Sequence, residues 1–141
     1  MTDAVDPPVD PRIASWQTEE YELGTLVFSA TEHAESLFPF YDLPAEATFL
    51  GLLEDDALCL LPDGSLAVYD HESNGRILCP AAQDQAHFLA AMEVLERHLE
   101  RCDHDEQYWD DEAAGWAVRG ECTKLAGGKP FKAFFSMLIG V

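Results

Sequence analysis

The chain has 141 residues, of which 27 are Asp or Glu and only 8 are Lys or Arg, so its formal net charge at pH 7 is −19. This composition disfavours direct binding to nucleic acid, because contacts to phosphate need clusters of Lys and Arg. Hydrophobic residues make up 48% of the chain and aromatic residues 11%, which is typical of a globular protein and excludes a disordered acidic tail.

One domain is expected from this length, which suffices to bury about two-thirds of the unfolded surface. The longest apolar runs are far shorter than the ~20 residues that span a bilayer, so no membrane contact is predicted. The first residues lack the basic and apolar regions of an export signal. The four cysteines include no C-x-x-C pair, and we expect reduced, buried thiols. These features together predict a cytoplasmic location.

The charge is unevenly distributed along the chain. Residues 13–75 contain no Lys or Arg but 13 Asp and Glu, interleaved with Leu, Val, Phe and Tyr. Net charge of this size destabilises a compact state through self-repulsion, and it favours solubility or a positively charged partner. GC-rich coding and adaptation to high salt are two alternatives that concern composition alone. They account less well for the return of basic residues after residue 75.

The first third of the chain predicts four segments. Residues 1–11 hold three Pro and three Asp and predict a flexible acidic arm, which leaves residues 12–141 as the single domain. Residues 23–30 are rich in β-forming side chains and predict a strand. Residues 31–38 predict a short helix, and the prolines that end it make residues 39–46 a connection.

Four short apolar runs between residues 48 and 79 predict an antiparallel meander. Turn residues separate them: Pro-Asp-Gly at 62–64 favours a tight turn, and Asn74-Gly75 suits the primed turns of β-hairpins. The runs are residues 48–53, 57–61, 65–69 and 76–79. We expect the strand at 23–30 to join the same sheet.

Beyond residue 84 the apolar residues recur at steps of three and four, which predicts a long amphipathic helix. Its apolar face consists of Phe88, Met92, Leu95, Leu99 and Cys102. A second helix is predicted from Pro130, because the apolar residues that follow it have the same period. Helices packed on a mainly antiparallel sheet make a single-domain α+β fold.

The densest charge lies in residues 103–112, where six acids surround Tyr108 and Trp109. One interpretation is an anionic platform with aromatic anchors for a basic protein surface. The alternative is a solvated connection, in which we expect Trp109 to fold back into the core. Acids at a helix C-terminus are unfavourable, which indicates a use elsewhere. The candidate partner-binding residues are Asp55, Asp56, Asp103, Asp105, Glu106, Tyr108, Asp110, Asp111 and Glu112.

No motif specifies a catalytic or metal site. His98, Cys102 and His104 have spacing that could ligate zinc, but the sequence offers no second pair of ligands, so a core thiol beside surface imidazoles is expected. The acidic segment lacks the D-x-D-x-D-G pattern of a calcium loop. No Gly-x-Ser-x-Gly, Walker or dinucleotide-binding motif is present. We therefore predict no enzyme, no catalytic residue, no metal and no cofactor.

Residues 49–99 carry a recognisable order of motifs. An apolar strand at 58–60 is followed by a Gly turn, then by the strand VYDHE at 68–72, and then by a helix that opens with Phe88-Leu89. In this order the chain resembles the SUKH superfamily of bacterial toxin-immunity proteins, which includes relatives of a yeast cell-wall regulator. The chain departs from that group at residues 80–82, where Pro-Ala-Ala replaces the usual polar residues ahead of the helix.

The resemblance implies a SUKH-like α+β domain that binds and neutralises a toxin, often a nuclease or deaminase delivered between competing bacteria. Toxins that act on nucleic acid are commonly basic, so the charge of the chain leads to the same expectation. The group has no catalytic residues, and its toxin-binding positions vary. The expected function is therefore an immunity protein for a basic cognate toxin. The alternative is an acidic nucleic-acid mimic that inhibits a DNA-binding protein.

Overall fold

The structure is a computed structural model that describes residues 8–30, 46–70 and 76–141. The helices are α1 (Pro11–Glu19), α2 (Gln85–His104), α3 (Glu106–Trp109), α4 (Glu112–Ala126) and α5 (Lys132–Ile139), with a 3₁₀ turn at Lys129–Phe131. The strands are β1 (Glu22–Leu23), β2 (Leu26–Phe28), β3 (Thr48–Leu53), β4 (Asp56–Leu60), β5 (Leu66–Tyr69) and β6 (Ile77–Ala82). The predicted helix at 31–38, residues 39–45, the last two residues of the VYDHE strand, the Asn-Gly turn and residues 1–7 of the predicted arm lie outside the described residues.

The six strands form one antiparallel sheet in which each strand pairs with the next in sequence. The predicted meander is confirmed as β3 to β6, and the α+β class is confirmed with it. The single strand predicted at 23–30 is wrong, because this segment contains most of a tight hairpin. Gly24 and Thr25 form the turn between β1 and β2, and Gly24 has φ 66°, a conformation that glycine adopts without steric cost.

Strand β3 contains a bulge at Leu50. Phe49 lies opposite Cys59 and Gly51 lies opposite Leu58, so Leu50 is the extra residue. Its side chain is fully buried in the main core. The backbone of Gly51 approaches β2 so closely that a Cβ there would lie 2.5 Å from the carbonyl oxygen of Val27. The sequence signal for this close approach is the glycine itself, in the middle of an apolar run.

Both faces of the sheet carry buried side chains. The main core lies between the sheet and the helices, where Phe28 of β2, Phe88 of α2 and Phe134 of α5 are all fully buried. The opposite face carries a smaller cluster formed by Phe49, Leu52, Ala57, Cys59 and Tyr69. Burial on both faces explains why the central strands read as continuous apolar runs instead of alternating with polar residues.

Helix α2 confirms the prediction made from apolar periodicity. It begins after Asp84, whose side chain accepts a hydrogen bond from the backbone N–H of His87 at 2.8 Å. Of its predicted apolar face, Leu99 is half-buried and the other residues are buried. Helix α5 follows as predicted, but Pro130 lies in the 3₁₀ turn ahead of it, so the helix itself begins at Lys132.

Helices α1, α3 and α4 were not predicted from the sequence. Helix α1 has the expected start signals, because the Asp10 side chain accepts a hydrogen bond from the Arg12 N–H and Pro11 is its first residue. The end of the predicted acidic arm is therefore attached to the domain, and the Asp10 N–H also donates to Gln85 Oε1 at 2.6 Å. Helix α4 has only Gly115, Cys122, Thr123 and Ala126 as buried residues. Side chains this small give little hydrophobic periodicity, which is why the pattern does not indicate a helix.

Among the described residues, no helix is both long enough and apolar enough to cross a bilayer.

Candidate functional site

The acidic segment 103–112 is ordered as two helix ends and a short helix between them. Helix α2 ends at His104, α3 occupies the next turn, and α4 begins at Glu112. The Asp105 side chain caps α3, with its Oδ1 accepting hydrogen bonds from the N–H groups of Gln107 and Tyr108 at 3.1 and 3.2 Å. The segment is therefore part of the folded domain, and its acids have assigned structural positions.

Helix α4 is capped in the same way. The Asp111 Oδ1 accepts hydrogen bonds from the N–H groups of Ala113 and Ala114 at 3.0 and 3.3 Å. Glu106 and Glu112 lie in the first turns of α3 and α4, where negative charge interacts favourably with the helix dipole. The expectation that the acids of this segment disfavour local structure is therefore wrong for the two caps and these two glutamates.

Tyr108 attaches α3 to α2. Its hydroxyl oxygen lies 2.8 Å from Nδ1 of His98, and the two ring centroids are 5.3 Å apart in an edge-on arrangement. The guanidinium carbon of Arg101 lies 4.0 Å from the centroid of the Tyr108 ring, close enough for a cation–π interaction. Burial raises the pKa of Tyr108, so its phenol stays neutral. Tyr108, a candidate anchor for a partner, is thus already engaged within the domain.

His98 is buried, and the expectation of a surface imidazole is wrong for it. Only 8% of the residue is exposed, and its Nε2 lies 3.7 Å from the sulfur of Cys102. Burial lowers the pKa of His98 and raises the pKa of the Cys102 thiol. His104 is exposed. No group of three or more potential metal ligands occurs within the described part of the chain.

Trp109 is exposed, which contradicts its expected place in the core. It is the most exposed of the large hydrophobic residues in the described ranges, at 65%. Helix α3 has only one turn, and Tyr108 occupies the position on that turn that faces α2. The next residue is rotated about 100° around the helix axis and therefore points away from the core. Sequence alone does not show which of two adjacent aromatic residues faces inward.

An open cavity of about 690 Å³ adjoins Trp109. Its walls come from the end of α2, the start of α4, the end of α5 and the β1–β2 turn. Met137 of α5, which is 41% exposed, contributes apolar surface together with Trp109. The acidic residues that line the cavity are Glu22, Asp103, Asp111 and Glu112. None of its described lining residues is Lys or Arg.

A second cavity, of about 350 Å³, shares Glu22 and Asp103 with the first, so the two adjoin. It adds Glu96 and Glu100, which with Asp103 lie at i, i+4 and i+7 on one face of α2. The Tyr21 hydroxyl, also in this cavity, donates to Glu96 Oε2 at 2.6 Å. Burial, this hydrogen bond and the neighbouring carboxylates raise the pKa of Tyr21 to about 12. We call the two adjoining cavities the acidic groove.

The structure brings some of the predicted site residues together in the acidic groove. Asp103, Asp111 and Glu112 line it, whereas the exposed Asp105, Glu106 and Asp110 do not. Among the acidic and exposed apolar residues of the groove, the sequence did not single out Glu22, Glu96, Glu100 and Met137. The spacing of Glu96, Glu100 and Asp103 on a predicted helix could have indicated one acidic face.

Of the other two candidates, Asp55 lies in the turn between β3 and β4, and Asp56 is the first residue of β4. Asp55 is exposed and Asp56 is half-buried. The backbone N–H of Glu54 donates to the carbonyl oxygen of Thr25 at 3.4 Å, and Thr25 lines the acidic groove. The two acidic regions that are distant in sequence therefore lie at the same end of the sheet.

The groove contains a histidine and a cysteine beside carboxylates, but their environments do not activate them. A nucleophilic cysteine needs a lowered pKa, whereas burial raises that of Cys102. Both nitrogens of His98 already face neighbouring side chains. The chemistry that the groove offers is therefore a set of carboxylates beside exposed apolar surface.

No protein-family model matches this chain. No curated protein and no solved structure matches it either. The resemblance to the SUKH superfamily remains a prediction, and the acidic groove is the feature from which a function can be proposed.

Proposed function

We propose that this protein is a cytoplasmic, immunity-type binding module that neutralises a basic protein toxin by covering part of the toxin's surface. The observation that carries the proposal is the acidic groove, where exposed Trp109 and Met137 lie among carboxylates. Complementary charge accelerates association and rejects wrong partners. An aromatic residue that becomes buried when the partner binds then contributes a large share of the binding free energy.

The exposed apolar surface supports a protein partner. Trp109 is 65% exposed although the chain has enough length to bury it, and exposed apolar patches rimmed by polar residues mark interaction sites. Tryptophan is also enriched among the residues that dominate binding energy in protein interfaces. The resemblance of residues 49–99 to toxin-immunity proteins supports the same kind of partner.

One observation favours the alternative, an acidic nucleic-acid mimic. Glu96, Glu100 and Asp103 form a row on one face of α2, with successive spacings of about 6 and 4.5 Å along the helix axis. A phosphate backbone likewise presents a regular row of negative charge. A phosphate backbone carries no apolar groups, however, so a mimic of it does not require the exposed Trp109 and Met137. We therefore favour a toxin as the partner.

The test is co-expression of this chain with the product of the neighbouring gene, followed by affinity purification. We expect a complex that survives size-exclusion chromatography, relief of the toxicity of the partner, and a dissociation constant that rises with salt concentration. Absence of both a complex and protection overturns the proposal. If this chain instead captures a DNA-binding protein, and duplex DNA releases that protein from the complex, the chain is a nucleic-acid mimic.

The chain offers a matched pair of variants for this test. Trp109→Ala removes an exposed indole from the groove, and Trp116→Ala removes one that is 52% exposed on α4, outside the groove. We expect Trp109→Ala to raise the dissociation constant at least tenfold, about 1.4 kcal/mol. Trp116→Ala should change it less than threefold. If Trp116→Ala weakens binding more than Trp109→Ala does, the binding face lies outside the groove.

A further inference from the structure

We infer that the acidic groove binds an extended, arginine-bearing segment of the partner. One guanidinium stacks on Trp109, and further basic side chains pair with the carboxylates along α2. The inference relies on the proposed function for the source of this segment. Its chemistry comes from the groove itself, which is lined by Glu22, Glu96, Glu100, Asp103, Asp111 and Glu112.

The groove lacks the cations that its carboxylates would attract. No Lys or Arg is found among its described lining residues. Arg101, on the same helix, is instead stacked on Tyr108, and Arg119 donates to the Val141 carbonyl oxygen at 2.8 Å. Carboxylates gathered in a concave surface focus a negative potential. A bound cationic segment relieves their mutual repulsion.

The carboxylates keep free acceptor atoms for such a segment. Both backbone bonds to the Asp111 cap use Oδ1, so Oδ2 is left to accept from a guanidinium. Tyr21 donates to Oε2 of Glu96, which leaves Oε1. Charge-assisted hydrogen bonds between guanidinium and carboxylate are about twice as strong as neutral ones. The hydrogen bonds within the domain and those to the segment therefore use different oxygens of the same side chains.

The spacing of the acidic row suits an extended chain. Glu96 and Glu100 are one helical step of four residues apart, about 6 Å along the α2 axis. In an extended segment, alternate side chains point to the same side and repeat at about 7 Å. Basic residues at every second position would therefore meet Glu96 and Glu100, and Asp103 lies about 4.5 Å further along the helix axis. The row from Glu96 to Asp103 covers about 10 Å, and Trp109 lies beside the far end of the groove.

Trp109 favours arginine over lysine. A guanidinium is planar, stacks on aromatic faces and donates in a fork that matches a carboxylate, whereas an ammonium is a compact and strongly hydrated charge. Asp111 and Glu112 line the same cavity as Trp109, so a stacked guanidinium has acceptors beside it. We expect an arginine segment to bind more tightly than the same segment with lysine.

The test uses a blocked hexapeptide of alternating Arg and Ala, titrated into the full chain by calorimetry and by NMR at 0.05 M NaCl. We expect the Arg–Ala peptide to bind and to shift the indole N–H signal of Trp109. The Lys–Ala peptide should bind at least threefold more weakly, and the neutral citrulline–Ala peptide should not bind. Equal binding of the Arg and Lys peptides overturns the stacking. Equal binding of the citrulline peptide overturns the charge recognition.

Two double variants with the same change in charge separate the groove from net charge. Glu100→Gln with Asp103→Asn removes two carboxylates of the groove, and Glu46→Gln with Glu121→Gln removes two exposed carboxylates outside it. We expect the first pair of substitutions to weaken binding of the Arg–Ala peptide at least tenfold, and the second pair to weaken it less than twofold. Equal weakening by both shows that net charge alone attracts the peptide, and the groove inference fails.

The two proposals can fail separately. If the toxin co-purifies but no peptide binds in the groove, the partner binds elsewhere, so the inference fails and the proposed function stands. If the Arg–Ala peptide binds with the expected variant pattern but no toxin complex forms, the groove recognises basic segments and the proposed function fails.

Discussion

The Nδ1 nitrogen of His98 lies 2.8 Å from the hydroxyl oxygen of Tyr108 and so joins α2 to α3. The contact fixes the short helix that carries Trp109, and His98 itself lines the groove. The geometry of the acidic groove therefore depends on a hydrogen bond between two of the helices that form it.

We expect Tyr108→Phe to lower the free energy of unfolding by about 1–2 kcal/mol, because it leaves a buried ring nitrogen without its partner. Urea unfolding measures the effect. Trp109→Phe, which changes the exposed neighbour, should stay within about 0.5 kcal/mol of the wild type. An unchanged stability of Tyr108→Phe would show that the hydrogen bond has no net value.

Stability should fall as the pH drops below about 6.5. Burial lowers the pKa of His98 in the folded state below its usual 6.5, so the unfolded chain takes up this proton at a higher pH than the folded chain does. The stability associated with neutral His98 is therefore fully present above pH 6.5, and it decreases as the pH falls toward the folded-state pKa. Urea midpoints between pH 7.5 and 5.5 measure this slope.

The matched variants for the pH experiment are His98→Gln and His104→Gln. We expect the first to flatten the slope between pH 6.5 and 5.5, and the second, at the exposed end of the same helix, to leave it unchanged. A wild-type slope in His98→Gln would assign the pH dependence to other groups.

Gly51→Ala should destabilise the sheet. The added Cβ would lie 2.5 Å from the Val27 carbonyl oxygen and 2.9 Å from the Phe28 Cα, so two paired strands must separate, at a cost of about 1–3 kcal/mol. Gly120→Ala is the control, because a Cβ added there would have no atom of another part of the chain within 4 Å. In a helix interior that substitution should stabilise by about 0.5–1 kcal/mol. Chemical unfolding of both variants tests the contrast.

The parts of the fold that the sequence predicts correctly are those that local chemistry determines. The turn at 62–64 and the period of α2 are encoded within a few residues, and both were predicted correctly: the Gly64 N–H donates to the Leu61 carbonyl oxygen at 2.9 Å, which closes the turn. Helix α4 was missed, because it packs through small side chains such as Gly115 and Ala126. The hairpin around Gly24 was missed because a single glycine is a weak turn signal.

The candidate site was predictable in composition and not in shape. Asp103 and Asp111 were identified by their charge, but Glu22 and Met137 join them only through the packing of distant elements. The exposure of Trp109 depends on which residue of a one-turn helix faces α2. Such relationships arise from tertiary contacts, which a single sequence pattern does not contain.

Asp111 should have two separable roles. Asp111→Ala removes the cap of α4 and the charge, and we expect a loss of about 1 kcal/mol. Asp111→Ser removes the charge but keeps an oxygen that can cap the helix, so most of that stability should remain. Asp111→Ala and Asp111→Ser should weaken binding of the Arg–Ala peptide to the same extent, because both remove the charge. Asp110→Ala, which removes no helix N-cap, is the control for stability, and urea unfolding with peptide titration tests all three.

The four thiols should resist alkylation in the folded protein. All four cysteines are buried, and burial raises the pKa of Cys59 and of Cys122 to about 12 and that of Cys79 to about 11. The thiolate is the reactive form, so iodoacetamide at pH 8 should modify less than one thiol per chain in an hour. All four should react in 6 M guanidinium chloride. Rapid labelling of the native protein would contradict the burial of these side chains.

Because two aspartates cap helices, replacing acidic residues of this protein with neutral ones has different effects at different positions. In a chain of net charge −19, replacing acids with neutral residues is the usual way to reduce self-repulsion. At Asp105 and Asp111 the same replacement would release two helix N-termini and lower stability while the net charge moved toward zero. Variants made to crystallise or concentrate the protein should therefore neutralise acids that cap no helix N-terminus, such as the exposed Asp110 or the exposed Glu121 of α4.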